Sequence, residues 1–222
     1  MINKNLEIVR QIIEGTARKA GRNPKDIRLI CVTKEANSSQ ILDALSQGVA
    51  ELGENRVKDA VLKHQAIADK ATWHLIGHLQ TNKVRDAVKM FSLIHSVDSF
   101  RLAQYIDKEA KKLGKIQEVL IEVNVSGEKA KFGISPDGLG KMLESIKDLS
   151  NIKVKGLMTV TPLTDNPQKS RPYFKSLKEL RDKYSLKELS MGMTQDYEVA
   201  VEEGATMVRI GRAIFKGNVN DK

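Results

Sequence analysis

Short apolar runs and amphipathic stretches alternate about eight times along this chain, and this alternation limits its fold more than any other feature. The apolar runs are short and rich in β-branched residues, as strands are, and the stretches between them repeat apolar residues at helical spacing. Strands are predicted near residues 28–34, 50–53, 73–76, 92–97, 118–125, 153–160, 187–191 and 206–210. Repeated strand–helix units are typical of parallel strands with crossover helices, so we expect an α/β fold, a single closed (β/α)8 barrel of the TIM type.

An extra N-terminal helix is predicted before the repeat, because residues 4–20 place apolar side chains at helical spacing and Gly21 then provides a stop. The other helices are predicted near residues 38–47, 55–70, 80–90, 99–113, 137–149, 168–184 and 195–203, with a short one after Gly211. An open doubly wound sheet is the alternative. Such sheets usually carry a glycine-rich turn after the first strand, and here the turn 33–37 has no glycine.

Composition favours one domain over residues 1–222, because this length is common for single barrels and the 41% apolar and 29% charged residues are an ordinary balance. The formal net charge of +9 raises the question of nucleic acid. Lysines are, however, scattered along predicted helices between glutamates, and aromatic residues are few. We therefore expect no nucleic-acid binding, and a positive surface that attracts a small anionic ligand.

The sequence carries few features that would place it at a membrane, in an oxidising compartment or around a metal. Cys31 is the only cysteine, which excludes an intramolecular disulfide and a Cys-based zinc cluster. No run of about 18 apolar residues is present, so a cytoplasmic protein without membrane contact is expected. His74 and His78 straddle a predicted strand end without a completing carboxylate pattern, so pocket lining or polar packing is expected rather than metal binding, and His64 and His95 are expected to be structural or exposed.

Lys34 stands at the end of the first predicted strand and shares its strand parity with Ile30 and Val32. If those two residues face the barrel interior, the lysine does too. A partly desolvated lysine amine can form an imine with a carbonyl compound. The alternative is a lysine that simply extends into water, and the first strand alone favours it.

An arginine on the last strand and two glycine-bearing strand ends are further candidates for a ligand site near Lys34. Arg209 shares its parity with Met207 on the last strand, so an inward guanidinium there needs a carboxylate partner or a ligand. Gly211 follows that strand, and Ser190 with Gly192 ends the preceding one. The loops after strands seven and eight are the usual phosphate site of such barrels. Together with Lys34, these residues suggest a lysine that holds a phosphorylated aldehyde.

Several runs of the sequence form a distinctive set. They are Val32-Thr33-Lys34, Gly53-Glu54-Asn55, the block from His74 to Lys83, Gly156-Leu157-Met158-Thr159, Ser190-Met191-Gly192-Met193-Thr194 with Asp196, and Val208-Arg209-Ile210-Gly211. This set closely resembles the pyridoxal phosphate homeostasis protein family. The resemblance extends from about residue 5 to Gly217, which is nearly the whole chain.

The resemblance implies a barrel similar to the N-terminal domain of alanine racemase, with pyridoxal 5′-phosphate (PLP) as cofactor. It implies that PLP is held as an internal imine on Lys34, with Arg209 facing the pyridine nitrogen. It further implies a pocket and phosphate site formed by Asn55, Ser190, Gly192, Gly211 and the backbone of Arg212. Many relatives carry a small hydroxyl residue where this chain has Arg212, so a backbone donor survives there and a hydroxyl donor does not. The direction of the Arg212 side chain stays open.

The resemblance also implies a function, which is to carry PLP or regulate its level inside the cell, with an indirect effect on amino-acid metabolism. An arginine at the pyridine nitrogen makes the ring a weak electron sink, which argues against robust catalysis. A monomer is expected because the chain lacks the β-domain of racemases, and transient contact with PLP-dependent enzymes is expected as well. Two alternatives stay open: a PLP-dependent racemase or lyase of low activity with Lys34 as base, and a cofactor-free aldolase in which Lys34 reacts with a sugar phosphate.

Overall fold

Eight parallel strands close into a barrel in the computed structural model, which describes residues 1–217. Each strand pairs with the next one along the chain, and the last pairs with the first. The strands are β1 (Arg28–Val32), β2 (Glu51–Glu54), β3 (Thr72–Leu75), β4 (Leu93–Val97), β5 (Gln117–Glu122), β6 (Ile152–Met158), β7 (Glu188–Ser190) and β8 (Met207–Ile210). The predicted (β/α)8 barrel is confirmed.

Helices surround the barrel, and the predicted N-terminal helix is present. The helices are α1 (Ile2–Lys19), α2 (Ser38–Ser46), α3 (Val57–Ile67), α4 (Val84–Met90), α5 (Phe100–Lys112), α6 (Leu139–Ile146), α7 (Arg171–Lys183), α8 (Tyr197–Glu202) and α9 (Arg212–Phe215). Because α9 has only four residues, the last repeat covers little of the barrel, and α1 packs there against α2, α8 and α9. None of the helices within residues 1–217 has both the length and the apolar character that crossing a membrane requires.

The strands end earlier than the sequence predicts at several loops of the carboxyl side. The strand predicted at 28–34 ends at Val32, because the backbone N–H of Ala36 donates to the carbonyl of Thr33 at 2.9 Å and closes a turn there. The strand predicted at 118–125 ends at Glu122, and only an isolated bridge from Val123 to Ile134 follows it. Lys34 therefore lies in a turn rather than in the first strand. The single domain predicted for 1–222 includes residues 218–222, which lie outside the described part of the chain.

Apolar side chains form two layers, one on each side of the strands. The outer layer lies between strands and helices and includes Cys31, Leu52 and Val208. The inner layer fills the barrel, and its buried members are Ile30, Leu93, Leu120, Met158 and Met207. Alternate residues of a strand face opposite sides, so Ile30 and Met207 show which parity points inward. The inward direction predicted for Lys34 and Arg209 is based on Ile30 and Met207. Ile30 and Met207 do face the interior.

Close approach between β6 and β7 depends on Gly156. A Cβ atom added at this position would lie 2.0 Å from the backbone carbonyl oxygen of Glu188 on β7. Because the obstructing atom belongs to the backbone of a paired strand, the sheet has to open for any side chain to fit. Gly15 provides a contrast, since a Cβ atom added there, within α1, meets nothing within 4 Å.

We predict opposite effects on stability for two Gly→Ala variants. Gly156→Ala should lower the free energy of unfolding by at least about 2 kcal/mol, because the methyl group forces two strands apart. Gly15→Ala should raise the free energy of unfolding by roughly 0.5–1 kcal/mol, since alanine is the better helix former. Urea unfolding followed by circular dichroism measures both values, and equal effects of the two variants would contradict this account of the β6–β7 contact.

Candidate functional site

A cavity of about 590 Å³ opens at the carboxyl ends of the strands, where parallel barrels carry their sites. Five of the residues predicted for the site line this cavity: Lys34, Asn55, Arg209, Gly211 and Arg212. Ser190 and Gly192 are not among its lining residues. The structure thus brings together side chains from both termini of the chain, because β1 and β8 are neighbours in the closed barrel.

Lys34 lies on the rim of the cavity, and its exposure differs from the sequence expectation. A partly desolvated inner position was expected, but Lys34 is exposed because the strand ends at Val32 and the lysine follows in the turn. The backbone before it is held firmly. The Lys63 ammonium on α3 donates to the Thr33 carbonyl at 2.5 Å and to the Glu54 carboxylate at 2.6 Å, and the Thr33 hydroxyl donates to the same carboxylate oxygen at 2.6 Å.

Arg209 forms part of the cavity floor and is almost fully buried. Its Nη1 donates to the Ser190 hydroxyl oxygen at 2.7 Å and its Nη2 donates to the Thr159 carbonyl at 2.8 Å. Burial lowers the pKa of Arg209 to about 10, and the carboxylates of Asp196 and Glu122 oppose that shift. The guanidinium therefore stays charged at neutral pH and is held by two neutral oxygens.

Gly211 brings the backbone after β8 against the end of β1. A Cβ atom added to Gly211 would lie 2.8 Å from the Val32 carbonyl oxygen. Only glycine allows this close approach, and the same absence of a side chain leaves the backbone open toward the cavity that Gly211 lines. The Arg212 side chain follows at once and is exposed at the same end of the cavity.

The turn after β7 is shaped by Asp196 and Gly192. One oxygen of the Asp196 carboxylate accepts a hydrogen bond from the Met193 backbone N–H at 2.8 Å, and the other accepts from the Thr161 hydroxyl at 2.9 Å. Gly192 has φ +88°, and a Cβ atom added there would lie 2.4 Å from the Cβ of Ala200 on α8. The glycine thus lets the turn pack tightly on α8. As a consequence Thr194, which was not predicted as a site residue, lines the cavity.

Ser190 lies beneath Arg209 inside the barrel, in a polar chain that sequence reasoning missed. Its hydroxyl oxygen is 2.9 Å from Nδ1 of His95, and Nε2 of His95 is 3.0 Å from Nδ1 of His74. All three residues are buried. The Ser190 hydroxyl, expected to meet a phosphate, is hydrogen-bonded to Arg209 and His95, so its contact with a phosphate stays a prediction. The possibility that His95 is exposed is wrong. Its parity with Leu93, a member of the inner layer, was the available signal.

Glu122 is a second functional candidate that the sequence did not single out. It ends β5, which stands opposite β1 in the closed ring of eight strands, so Glu122 and Lys34 line the cavity from opposite walls. Burial raises the pKa of Glu122 to about 7, with a further contribution from the Asp98 carboxylate, while Arg209 opposes the shift. A carboxyl group that titrates near neutral pH can donate or accept a proton across the cavity.

The mouth of the cavity carries an aromatic pair. The His78 ring stacks on Phe132 with centroids 3.8 Å apart and an interplanar angle of 11°, and Nδ1 of His78 is 3.3 Å from the Asp98 carboxylate. His78 thus lines the pocket, as the sequence predicts, and His74 lies in the interior chain. Across residues 1–217, no three or more His, Cys, Asp and Glu side chains are grouped so that they could hold a metal ion.

Comparisons with known proteins agree along almost the full length of the chain. The family model described as alanine racemase, N-terminal domain, matches residues 5–219. The pyridoxal phosphate homeostasis protein of Aquifex aeolicus (strain VF5) is 43% identical over 219 residues, which cover 96% of each chain.

Solved structures show the same likeness. The structure of an unknown protein from Bifidobacterium adolescentis has a TM-score of 0.91 and 34% identity, covering 96% of this chain and 94% of the other. The structure of PipY of Synechococcus elongatus PCC7942 with PLP bound has a TM-score of 0.83 and 33% identity, covering 97% of this chain and 100% of that one. The wall and floor residues described above therefore lie in a barrel shared with these proteins.

We predict that Glu122→Gln stabilises the protein in a pH-dependent way. The pKa of Glu122 is raised to about 7 in the folded chain, so the stability linked to its neutral form is present at low pH and is lost as pH rises. The glutamine has no such dependence. Relative to the parent, the variant should gain about 3 kcal/mol in free energy of unfolding between pH 4.5 and pH 7.5.

Urea unfolding at several pH values measures this difference. Glu179→Gln on the exposed face of α7 is the control for loss of one negative charge. If the difference between Glu122→Gln and the parent is as flat with pH as that of the control, the raised pKa of Glu122 is refuted.

Proposed function

This chain belongs to the pyridoxal phosphate homeostasis protein family, whose barrel is that of the alanine racemase N-terminal domain, and we propose that it binds PLP and takes part in PLP homeostasis. One observation carries the proposal. A single cavity presents a lysine amine, a buried guanidinium and an open glycine backbone, which are the groups that suit the aldehyde, the pyridine nitrogen and the phosphate of PLP. The chain is proposed to act as a carrier or regulator of the cofactor.

The residues of the cavity fit PLP in kind and in placement. β8 pairs with β1, and Lys34, Gly211 and Arg212 follow these two strands and line one cavity, which supports an amine and a proposed phosphate site on neighbouring elements. A cavity of about 590 Å³ is in the range that holds small cofactors. When bound, PLP supplies an aldehyde that combines with an amine and a ring that withdraws electrons.

Each residue has a proposed role toward the cofactor. Lys34 would supply the amine that holds the cofactor through its aldehyde. Gly211 offers its backbone N–H to the phosphate, with the backbone of Arg212 beside it, and Asn55 lines the pocket. We add the Thr194 hydroxyl as a phosphate donor. Gly192 is proposed to act indirectly, by shaping the turn that presents Thr194.

The protonation state of Arg209 bears on whether the protein only binds PLP or also catalyses a reaction with it. Its pKa of about 10 keeps the guanidinium protonated at neutral pH, so toward the pyridine nitrogen of PLP it would act as a permanent donor that keeps its own proton. A ring nitrogen beside it would stay unprotonated, and PLP would then supply only a weak electron sink. The exposed position of Lys34 at the rim also suits a cofactor that enters and leaves.

The remaining parts of the proposal concern the protein as a whole. We propose that residues 1–222 form a single domain that acts as an intracellular monomer and makes transient contacts with PLP-dependent enzymes. The sugar-phosphate aldolase stays an alternative to be tested by the absorption of the purified protein.

We predict that Lys34→Ala removes covalent cofactor binding. The parent loaded with PLP should show an absorption band near the edge of the visible range, and borohydride should fix the cofactor onto Lys34, as peptide mass spectrometry can show. The Lys34→Ala variant should lose the band and keep its circular dichroism, because the lysine is exposed and lies in a turn. Lys131→Ala, which removes another cavity lysine, is the matched control and should keep the band. Label on a different lysine would refute the assignment.

A PLP-dependent racemase or lyase of low activity is the second candidate function, and Glu122 is the observation that favours it. A racemase needs acid/base groups on two sides of its substrate, and Glu122 faces Lys34 across the cavity. The sequence alone offered Lys34 as the sole base. The structure therefore adds Glu122 as a second acid/base group, which the sequence alone did not indicate.

We predict that α-deuterium exchange separates the two functions. The loaded protein is incubated in heavy water with a panel of L-amino acids, and exchange is followed by NMR. A carrier should exchange far more slowly than the rate of about 1–10³ per second typical of enzymes. Exchange at such a rate that is lost in both Lys34→Ala and Glu122→Gln would replace the carrier by the enzyme.

A further inference from the structure

A line of polar side chains runs along the inside of the barrel from the cavity floor toward the opposite end. It starts at Arg209 and continues through Ser190, His95 and His74 to Glu51, whose carboxylate oxygen is 3.4 Å from Nε2 of His74. The four successive distances are 2.7, 2.9, 3.0 and 3.4 Å. The apolar inner layer surrounds this line, so its hydrogen bonds lie in a region of low polarity, where they are strong when paired and costly when not.

Only one direction of donation is consistent with every hydrogen bond of this line, while Nε2 of His74 and the Glu51 oxygen that faces it have no hydrogen-bond partner within residues 1–217. The Arg209 guanidinium has donors and no acceptor, so the Ser190 oxygen must accept from it. Ser190 then donates its single proton to Nδ1 of His95, which forces the proton of His95 onto Nε2. That proton is donated to Nδ1 of His74, which leaves the proton of His74 on Nε2, the atom that lies 3.4 Å from the Glu51 carboxylate.

The opposite direction fails at both ends. If His95 donated from Nδ1, the Ser190 hydroxyl proton would have no acceptor, because within residues 1–217 this hydroxyl contacts only His95 and the Arg209 guanidinium. His74 would then present a lone pair to the Glu51 carboxylate, which is an acceptor as well. Protonation of both nitrogens is opposed by burial, which lowers the pKa of His74 to about 3 and that of His95 well below its ordinary value. Arg28 and Arg209 add to that opposition.

We propose that Ser190, His95 and His74 are positioning residues that fix the Arg209 guanidinium at the cavity floor through a one-way hydrogen-bond chain that ends at His74, next to the Glu51 carboxylate. The chain supplies the acceptor for Nη1, while the Thr159 carbonyl supplies that for Nη2. Two guanidinium nitrogens are thus tied on the barrel side, and the rest of the group is left for the cavity that Arg209 lines. This inference rests on the proposed function for its meaning, since Arg209 there faces the cofactor ring.

The far end of the chain lies next to charged side chains. Glu51 is 3.7 Å from the Arg28 guanidinium, and Arg28 also pairs with Glu188 at 3.1 Å. Burial and the Glu188 carboxylate raise the pKa of Glu51, and Arg28 opposes that shift. The chain therefore leads from Arg209 to a group of charged side chains on β1, β2 and β7 at the opposite end of the barrel.

The first test uses the protein before cofactor is added, so it does not depend on the proposed function. Protein labelled with ¹⁵N-histidine is examined by long-range ¹H–¹⁵N NMR between pH 6 and pH 8. His74 and His95 should both carry the proton on Nε2 and keep it there through this range. A proton on Nδ1 of either residue overturns the chain direction, whatever the protein binds.

The second test measures the positioning role through PLP. Ser190→Ala removes the acceptor for Arg209, and His95→Phe removes the acceptor for Ser190. Each should release PLP about tenfold faster than the parent, which is what one buried hydrogen bond is worth. Each should also shift the pH midpoint of the absorption change of the bound cofactor. His95→Asn, whose side-chain oxygen can still accept from Ser190, should stay within about twofold of the parent.

Leu189→Val is the matched control, because Leu189 neighbours Ser190 on β7 but packs in the outer layer. It should lose some stability without changing PLP release or the pH midpoint. Release rates equal to the parent in both Ser190→Ala and His95→Phe overturn the positioning role. If the parent itself retains no PLP, the proposed function fails, while the NMR result still judges the chain. If Ser190→Ala does not fold, the positioning role is judged from the PLP release rates of His95→Phe and His95→Asn.

Discussion

The buried charge of Arg209 is the constraint on which the rest of this structure depends. A guanidinium inside a barrel is unfavourable unless its N–H groups find acceptors and its charge finds a counterpart. Here two neutral oxygens accept from it, and the carboxylates of Asp196 and Glu122 favour its charged form. Those requirements account for the polar side chains that run from the cavity floor through the apolar inner layer of the barrel.

The buried charge of Arg209 bears on the proposed function through the PLP ring that Arg209 is proposed to face. A guanidinium that keeps its proton suits a pyridine nitrogen that stays unprotonated, and such a ring stabilises carbanions weakly. The proposed role as carrier follows from this property together with the exposed Lys34 at the rim. Glu122 is the residue that favours slow catalysis, because its carboxyl group has a pKa of about 7 and lies on the cavity wall opposite Lys34.

Much of the fold and part of the site could be predicted from the sequence. The alternation of strands and helices gives the barrel, and strand parity gives the inward direction of Arg209, since both depend on local patterns. The boundary of β1 was missed, because the turn at Thr33 is set by contacts with Glu54 and Lys63. The roles of Ser190, His95 and Glu122 depend on which strands face each other and on which atom donates. Neither property is visible in the residue types alone.

The central claim is that Arg209 makes this barrel a holder of PLP, and the state of the pyridine nitrogen tests it most directly. PLP labelled with ¹⁵N in the ring is bound to the protein, and the ¹⁵N chemical shift is followed between pH 6 and pH 8. The account predicts the shift of an unprotonated nitrogen throughout this range. A protonated ring nitrogen in the bound cofactor would contradict it.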